Sequence, residues 1–401
     1  MLFRSITQGE QVAQLWPILF DRYGLEIAFA HRTFSLGSEA RGKAHVHVVI
    51  IGLAHRSHEP AEKRLFSYPD IKGDPVESVH SALTAYLFDA KGVANRHLVV
   101  KEEARPINGA ARIASGSQPI DGGHLIFDAA QRRDFLSIEP KADQWLRRYV
   151  GAEDFINGGD RWILALQATP PNELKAMPKV LERLAKVRAF RKQSQRKSTL
   201  QIADQPTRFN VELLPRTPFL AIPEVSSERR AYIPLGWLEP PTIPSNKLRI
   251  LPNASLWEFG VLTSRAHMAW MAHVGGRLES RFQYGIGIVY NTFPWPDAAA
   301  AQRIKIEKLA QAILAAREMP KNKNSNLAHL YDPDSMPVEL YKAHGALDIA
   351  VDRLYRAAPF ASDRERVEHL FGRYEALVNP LEREALRQNK RVNRKIARQI
   401  S

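Results

Sequence analysis

Seven lysines and arginines lie between Arg183 and Ser198 with no acid among them: Arg183, Lys186, Arg188, Arg191, Lys192, Arg196 and Lys197. A second run, Arg387, Lys390, Arg391, Arg394, Lys395 and Arg398, is equally free of acids. Together they hold nearly all of the formal net charge of +14, so the rest of the chain is close to neutral. Charge concentrated in this way is an electrostatic footprint, and a polyanion is the partner it most readily suits. Two solvated helix faces would carry the same charge, and charge alone leaves that reading open.

Residue types capable of covalent chemistry do not assemble into a centre. The absence of cysteine removes disulfides, thiolate metal sites and a cysteine nucleophile. There is no Gly-x-Ser-x-Gly elbow, no phosphate-binding loop and no histidine pair at the spacing of a helical zinc site. His45 and His47 alternate on one strand face and read as scaffold or surface. Asp121, Glu139, Glu153 and Asp154 are the carboxylates a nuclease would use, but the Glu-x-Lys that follows a paired Asp is missing.

Methyl transfer from S-adenosylmethionine to a base amine needs a Gly-rich cofactor turn and an Asp/Asn-Pro-Pro-aromatic loop beside the extruded base. Thr169-Pro-Pro-Asn172 and Glu239-Pro-Pro-Thr242 have the prolines without the leading residue or the aromatic. Phe282-Gln-Tyr-Gly285-Ile-Gly287 looks like a cofactor turn with one residue too many, and two glycines in a strand more simply mark a close backbone approach.

These residues need a scaffold, and 401 residues have room for two or three domains. A hydrophobic fraction of 44% and a charged fraction of 25% are ordinary for a globular protein. No apolar run approaches the ~20 residues of a membrane span, and the start is too quickly polar for a signal peptide. No membrane partner is expected, and a cytoplasmic location is the default.

Gln11 to Phe20 reads as a short amphipathic helix interrupted near Pro17. Glu26 to Phe34 and His45 to Leu53 read as strands of a hairpin joined through Gly37 to Lys43. So little precedes them that the chain reads as beginning inside a domain. Helices are expected at 132–151, 171–194, 256–274, 298–317, 337–356, 363–378 and 382–400, with Asp363 as an N-cap. In the second, Val180, Leu181, Leu184, Val187 and Phe190 are the expected buried face. Short strands broken by prolines are expected from Phe209 to Pro252, and a longer one from Phe282 to Phe293. His267, Met268, Trp270 and Met271 read as core, and Phe293-Pro-Trp-Pro296 as packing.

A series of local phrases then becomes specific. It runs Ser5-Ile-Thr-Gln-Gly-Glu-Gln11, Phe29-Ala-His-Arg-Thr-Phe34, Arg105-Pro-Ile-Asn108 and Ser115-Gly-Ser-Gln-Pro-Ile-Asp121-Gly-Gly. It continues with Val225-Ser-Ser-Glu-Arg-Arg-Ala-Tyr-Ile-Pro234, Phe259-Gly-Val-Leu-Thr-Ser264, His267-Met-Ala-Trp270, Gly276-Arg-Leu278 and Val289-Tyr-Asn-Thr-Phe-Pro-Trp-Pro296. Leu330-Tyr-Asp-Pro and Met336-Pro close it. In this order they resemble the C-terminal half of the MmeI-like enzymes, single-chain restriction–modification proteins that methylate adenine in double-stranded DNA. The resemblance covers essentially the whole chain.

The resemblance implies an α/β fold in three parts. Residues 1–55 would be the remnant of a Rossmann-like methyltransferase sheet, and 56–110 a connecting segment. Residues 111–297 would be a mixed α/β target recognition domain that binds DNA, and 298–401 a helical C-terminal domain. The family's cofactor turn and Asn-Pro-Pro-aromatic loop precede the matched region. The expectation is therefore a DNA-recognition piece with no catalytic residue and no bound cofactor of its own, S-adenosylmethionine belonging to the complete enzyme. A separate specificity subunit acting with a catalytic methyltransferase chain, or a decayed gene fragment, are the alternatives.

Base edges are read by forked or bidentate groups: Arg for guanine, Asn or Gln for adenine, Glu or Asp for cytosine. In the segments the family uses for recognition, Glu224, Asn246, Lys247 and Gln283 are the base-readout candidates. Arg188, Arg191, Lys192 and Lys197, with Arg229, Arg230, Arg277 and Arg281, are candidates for phosphate or general DNA contact, which positions a duplex without reading it. Gln283 before Tyr284-Gly285 departs from the family, which more usually has a basic residue and then Tyr-Ser.

Overall fold

A computed structural model describes residues 4–36, 46–322 and 324–379. The fold is mixed α/β, and the chain divides into two compact units built from interleaved segments. The first takes in described residues of Met1–Ala111, Arg265–Ala298 and Asp348–Ser401; the second takes in those of Arg112–Ser264 and Ala299–Leu347.

In the first unit, a helix at Glu10–Pro17 runs into a π-helical turn, Ile18–Arg22, at the proline that interrupts the pattern. Val12, Trp16 and Phe20 recur every fourth residue and are buried. Strands Leu25–Leu36 and Val46–His55 pair antiparallel with Phe34 opposite Val48. His47 faces Ser35 across this ladder, while His45 and the expected 37–43 connection lie outside the described residues.

The sheet does not stop at residue 55. Lys63–Ser67 lies parallel to Leu25–Leu36, and Val76–His80 is antiparallel to Lys63–Ser67. The expected boundary therefore falls inside one four-stranded sheet, whose third strand is short and largely polar apart from Leu65 and Phe66. Glu26, buried in the first strand, holds the following loops: Arg56 lies at 3.2 Å, Arg96 at 2.9 Å and His97 at 3.0 Å.

The helix expected over 256–274 is two helices, Leu256–Leu262 and Arg265–Val274. Ser264 Oγ donates back to the Val261 carbonyl at 2.7 Å, a local bond that competes with helix continuation. Arg265 N donates to Asp348 at 2.7 Å, restarting the helix. His267, Met268, Trp270 and Met271 are buried as core, and Trp270 packs on Phe371 of the Asp363–Val378 helix with rings 5.2 Å apart. Ser362, rather than Asp363, caps that helix by accepting from Glu365 N.

The strand expected over 282–293 shortens to Arg281–Gln283, followed by a π-helical turn at Ile286–Tyr290. Gly287 lies against Glu102: a Cβ there would sit 2.1 Å from Glu102 Cγ. This is a close approach of protein to protein. Phe293 is fully buried and meets Trp295 edge-on at 6.0 Å, as packing requires.

The second unit contains two four-stranded sheets. One has the order Ile243–Pro244, Leu146–Val150, Arg161–Leu164, Ile126–Asp128; the other has Gly236–Leu238, Phe219–Pro223, Leu248–Pro252, Ala114–Ser115. Leu146–Val150 overturns the second half of the helix expected over 132–151. Only Ala129–Ile138 is α-helical, and Pro140 opens a 3-10 stretch that leads into the strand. The 209–214 run forms no strand, contributing only the Gln118–Val211 bridge. Helix Ala300–Arg317 packs on Leu256–Leu262 where Gly260 admits Ile306, a Cβ there standing 2.7 Å from Ile306 Cγ2. Val338–Tyr355 follows where expected. The 382–400 helix and the Arg387–Arg398 run lie outside the described residues.

Burial holds His267 at about 3 and His273 at about 4, below the ordinary 6.5. Both stay neutral in the folded chain at pH 5, whereas the unfolded chain protonates them. Unfolding near pH 5 should therefore take up about two protons at these sites, and stability should fall as pH drops from 6.5 toward 4. Melting temperatures across this range check it; a flat profile would contradict it.

Candidate nucleic-acid interface

The first basic run lies on the helix Pro178–Lys192 and the short helix Lys197–Gln201. The segment expected as one helix is broken at Met177-Pro178, after a separate turn at Pro171–Lys175. Val180, Leu184 and Val187 bury against the Leu125, Phe127, Leu146 and Ile163 core. Leu181 and Phe190, expected beside them, are 41% and 43% exposed. The fourth position of the buried stripe is Arg191.

Arg191 is 0% exposed. Its Nε donates to Ile120 O at 2.8 Å, Nη1 to Ile202 O and Gln205 O at 3.0 Å each, and Nη2 to Pro119 O at 2.8 Å and Arg208 O at 2.7 Å. All five guanidinium N–H donors are satisfied by main-chain carbonyls, so none remains for a phosphate. The expectation of Arg191 as a phosphate contact is corrected: it is the internal tie of this face. Arg183 is likewise drawn inward, its guanidinium 4.1 Å from the Phe127 ring centroid and donating to His124 O.

Lys186, Arg188, Lys192, Arg196 and Lys197 remain exposed. Arg188 donates to Asp204 at 2.7 Å, and Lys192 stands 3.4 Å from the same oxygen. Arg188 holds the Asp204 carboxyl below its usual range. Sequence reading missed Asp204 because it lies beyond the acid-free run.

Glu224, Asn246 and Lys247 come together beside the second sheet of this unit. Glu224 N donates to Lys247 O at 3.0 Å, and the Glu224 carboxylate meets Lys247 Nζ at 3.1 Å and Arg249 at 2.9 Å. Arg249 also donates to Asn246 O at 2.9 Å. The Asn246 carboxamide has no hydrogen bond to protein among the described residues. Arg249, 13% exposed, was not singled out in the sequence. Its signal is the alternation Leu248, Arg249, Ile250 along a strand with one face buried.

Arg229 is exposed and pairs with Asp334. Arg230 is half-buried, and desolvation lowers its guanidinium pKa.

Arg277, Arg281 and Gln283 belong to the other compact unit, in the hairpin Gly276–Leu278/Arg281–Gln283. Arg277 lies 3.9 Å over the Phe282 ring and donates to Ser280 O and Ala272 O, contacts that pin the hairpin. Arg281 is exposed and pairs with Glu279 at 2.8 Å. Gln283 faces Gly276 across the ladder, and its half-buried side chain lies on the other side of the strand from Phe282.

Three of the four nuclease-like carboxylates have structural partners. Asp121 accepts from Leu125 N, Glu139 accepts from Lys179 N, and Asp154 caps Gly151 and pairs with Arg161, while Glu153 is exposed. Among the described residues, no group of three or more His, Asp or Glu could hold a metal ion, and no helix is long and apolar enough to cross a membrane.

Residues 94–297, just over half of the chain, match the family model for the MmeI target recognition domain. The chain belongs to the MmeI family. Residues 298–382 match the MmeI C-terminal domain and residues 3–67 the MmeI DNA-methyltransferase domain. DNA methyltransferase A of Bacillus subtilis (strain 168) is 34% identical over 374 residues, covering 93% of this chain and 41% of that protein. A solved structure of the type IIL restriction–modification enzyme MmeI in complex with DNA is 41% identical with a TM-score of 0.86, covering 93% of this chain and 49% of that one. The chain thus spans less than half the length of these two relatives.

Within the MmeI-type recognition domain, replacing Arg191 takes the donor from the carbonyls of Pro119, Ile120 and Arg208, each loss costing ~1–3 kcal/mol. Ile202 O and Gln205 O keep turn bonds from Gln205 N and Arg208 N. Arg191→Leu should lose on the order of 3–5 kcal/mol in urea unfolding. Arg188→Leu, which breaks only exposed pairs, should lose no more than about 1 kcal/mol. Equal losses would contradict the role assigned to Arg191.

Proposed function

We propose that this chain supplies DNA recognition for a site-specific, restriction–modification-type adenine methyltransferase. The complete enzyme moves a methyl group from S-adenosylmethionine to the exocyclic amine of adenine in duplex DNA. A cofactor-binding, catalytic segment, in the same polypeptide or on a partner chain, performs that transfer. Residues 111–297 are the recognition domain in this reading and 298–401 the helical C-terminal domain. The segment after His80 connects them to the methyltransferase portion, whose sheet runs on through Lys63–Ser67 and Val76–His80.

One observation carries the reading: an exposed cationic helix face on a domain matching the MmeI target recognition domain. That the related MmeI was solved in complex with DNA supports a duplex as the partner. Arg188, Lys192 and Lys197 contact phosphates, with Arg229, Arg230 and Arg281 as further backbone contacts. Glu224, Asn246, Lys247 and Gln283 read bases. Glu224 offers an acceptor for a cytosine amine, Lys247 donors for guanine, and Asn246 and Gln283 the paired donor and acceptor that adenine requires. Arg249 is the positioning residue that fixes Glu224 and Asn246 together.

The five exposed cations of the basic run set the expected salt dependence. If most of them neutralise phosphates, log affinity for duplex DNA falls with log salt at a slope of about −4. Arg188→Glu, Lys192→Glu and Lys197→Glu combined weaken binding to all sequences alike, whereas Asn246→Ala or Gln283→Ala changes preference among sequences. Fluorescence anisotropy over a salt series checks both; salt-independent binding, or a triple reversal without effect, refutes the assignment.

A further inference from the structure

Arg188 and Lys192 are one helical turn apart on the exposed side of Pro178–Lys192, the spacing at which two cations hold one anion. That anion is already present. Asp204 Oδ1 accepts from Arg188 Nε at 2.7 Å and lies 3.4 Å from Lys192 Nζ. The carboxylate arrives on a turn that is itself fixed. Arg191, from the buried side of the same helix, grips the carbonyls of Ile202 and Gln205, which flank Asp204 in sequence. Helix and turn are thus locked by one guanidinium, and Asp204 is delivered to the cation pair rather than meeting it by chance. Its side chain is 66% exposed, so solvent and a competing anion can both reach it.

We propose that Asp204 is a built-in phosphate mimic, occupying the place between Arg188 and Lys192 that a DNA phosphate takes and thereby restraining sequence-independent binding. This rests on reading the face as DNA-binding. A phosphate must displace the carboxylate, so each encounter with an arbitrary duplex gives up an ion pair for the one it forms. Specific and arbitrary sequences share this phosphate contact, so the penalty lowers both affinities by the same factor and limits how tightly the chain holds any duplex.

The test is a charge-removal cycle on the full chain, read by anisotropy with a labelled mixed-sequence duplex. Asp204→Asn is expected to tighten binding about fivefold at low salt and steepen the log–log salt slope by about 1. In an Arg188→Gln, Lys192→Gln background, the same substitution should change affinity less than about twofold, because the carboxylate then masks nothing. Asp204→Ser should behave like Asp204→Asn, and melting curves confirm that each variant is folded. An unchanged affinity for Asp204→Asn overturns the inference. So does equal tightening in both backgrounds, which would be general repulsion by a nearby charge. A wild-type chain that binds no duplex overturns the proposed function, and this inference with it.

Discussion

The geometry of the cationic face depends on a single buried guanidinium. Arg191 sits at 0% exposure with five main-chain carbonyls around it, from Pro119 and Ile120 on one side and Ile202, Gln205 and Arg208 on the other. Ile202 O and Gln205 O also accept turn bonds from Gln205 N and Arg208 N. Arg191 is the donor to Pro119 O, Ile120 O and Arg208 O, and taking it from those carbonyls would be costly. An arginine is the one side chain with enough donors in a fixed fork to serve all five. The same contacts orient the exposed side of the helix and the turn bearing Asp204. One of the seven basic residues of the run is therefore the scaffold, and its exposed neighbours are the surface.

Much of the architecture was legible in the sequence. The 3.6-residue spacing of Val180, Leu184 and Val187 gave the buried stripe, and the alternating runs before and after Gly37–Lys43 gave the opening strands. Local phrases such as Phe259-Gly-Val-Leu-Thr-Ser264 identified the family. What escaped were features decided by long-range partners. The break at Thr263-Ser264 follows from Ser264 and from an Asp348 carboxylate distant in sequence. The turn at Ile286–Tyr290 follows from the close approach of Glu102 to Gly287. The strand Leu146–Val150 has enough leucine and arginine to read as helix until its ladder partners are known.

The candidate site shows the same division. Residue types along the basic run were legible, but their partners were not: Asp204 for Arg188 and Lys192, Asp334 for Arg229, Glu279 for Arg281, Glu224 for Lys247. An exposed ion pair of this kind contributes little to stability. It does fix what a nucleic acid must displace, so the charge available to a duplex is smaller than the sequence total. Arg191 leaves that total altogether, because main-chain carbonyls take all five of its donors.

DNA recognition as proposed requires the exposed side of Pro178–Lys192 to face the duplex. Lysine acetylation with and without mixed-sequence duplex DNA, read by mass spectrometry, tests this directly. Lys186, Lys192 and Lys197 should be protected when DNA is added, while Lys141 and Lys308, also exposed, should react as before. Protection of Lys141 or Lys308 with none at Lys186, Lys192 and Lys197 would place the DNA on another surface and contradict the account.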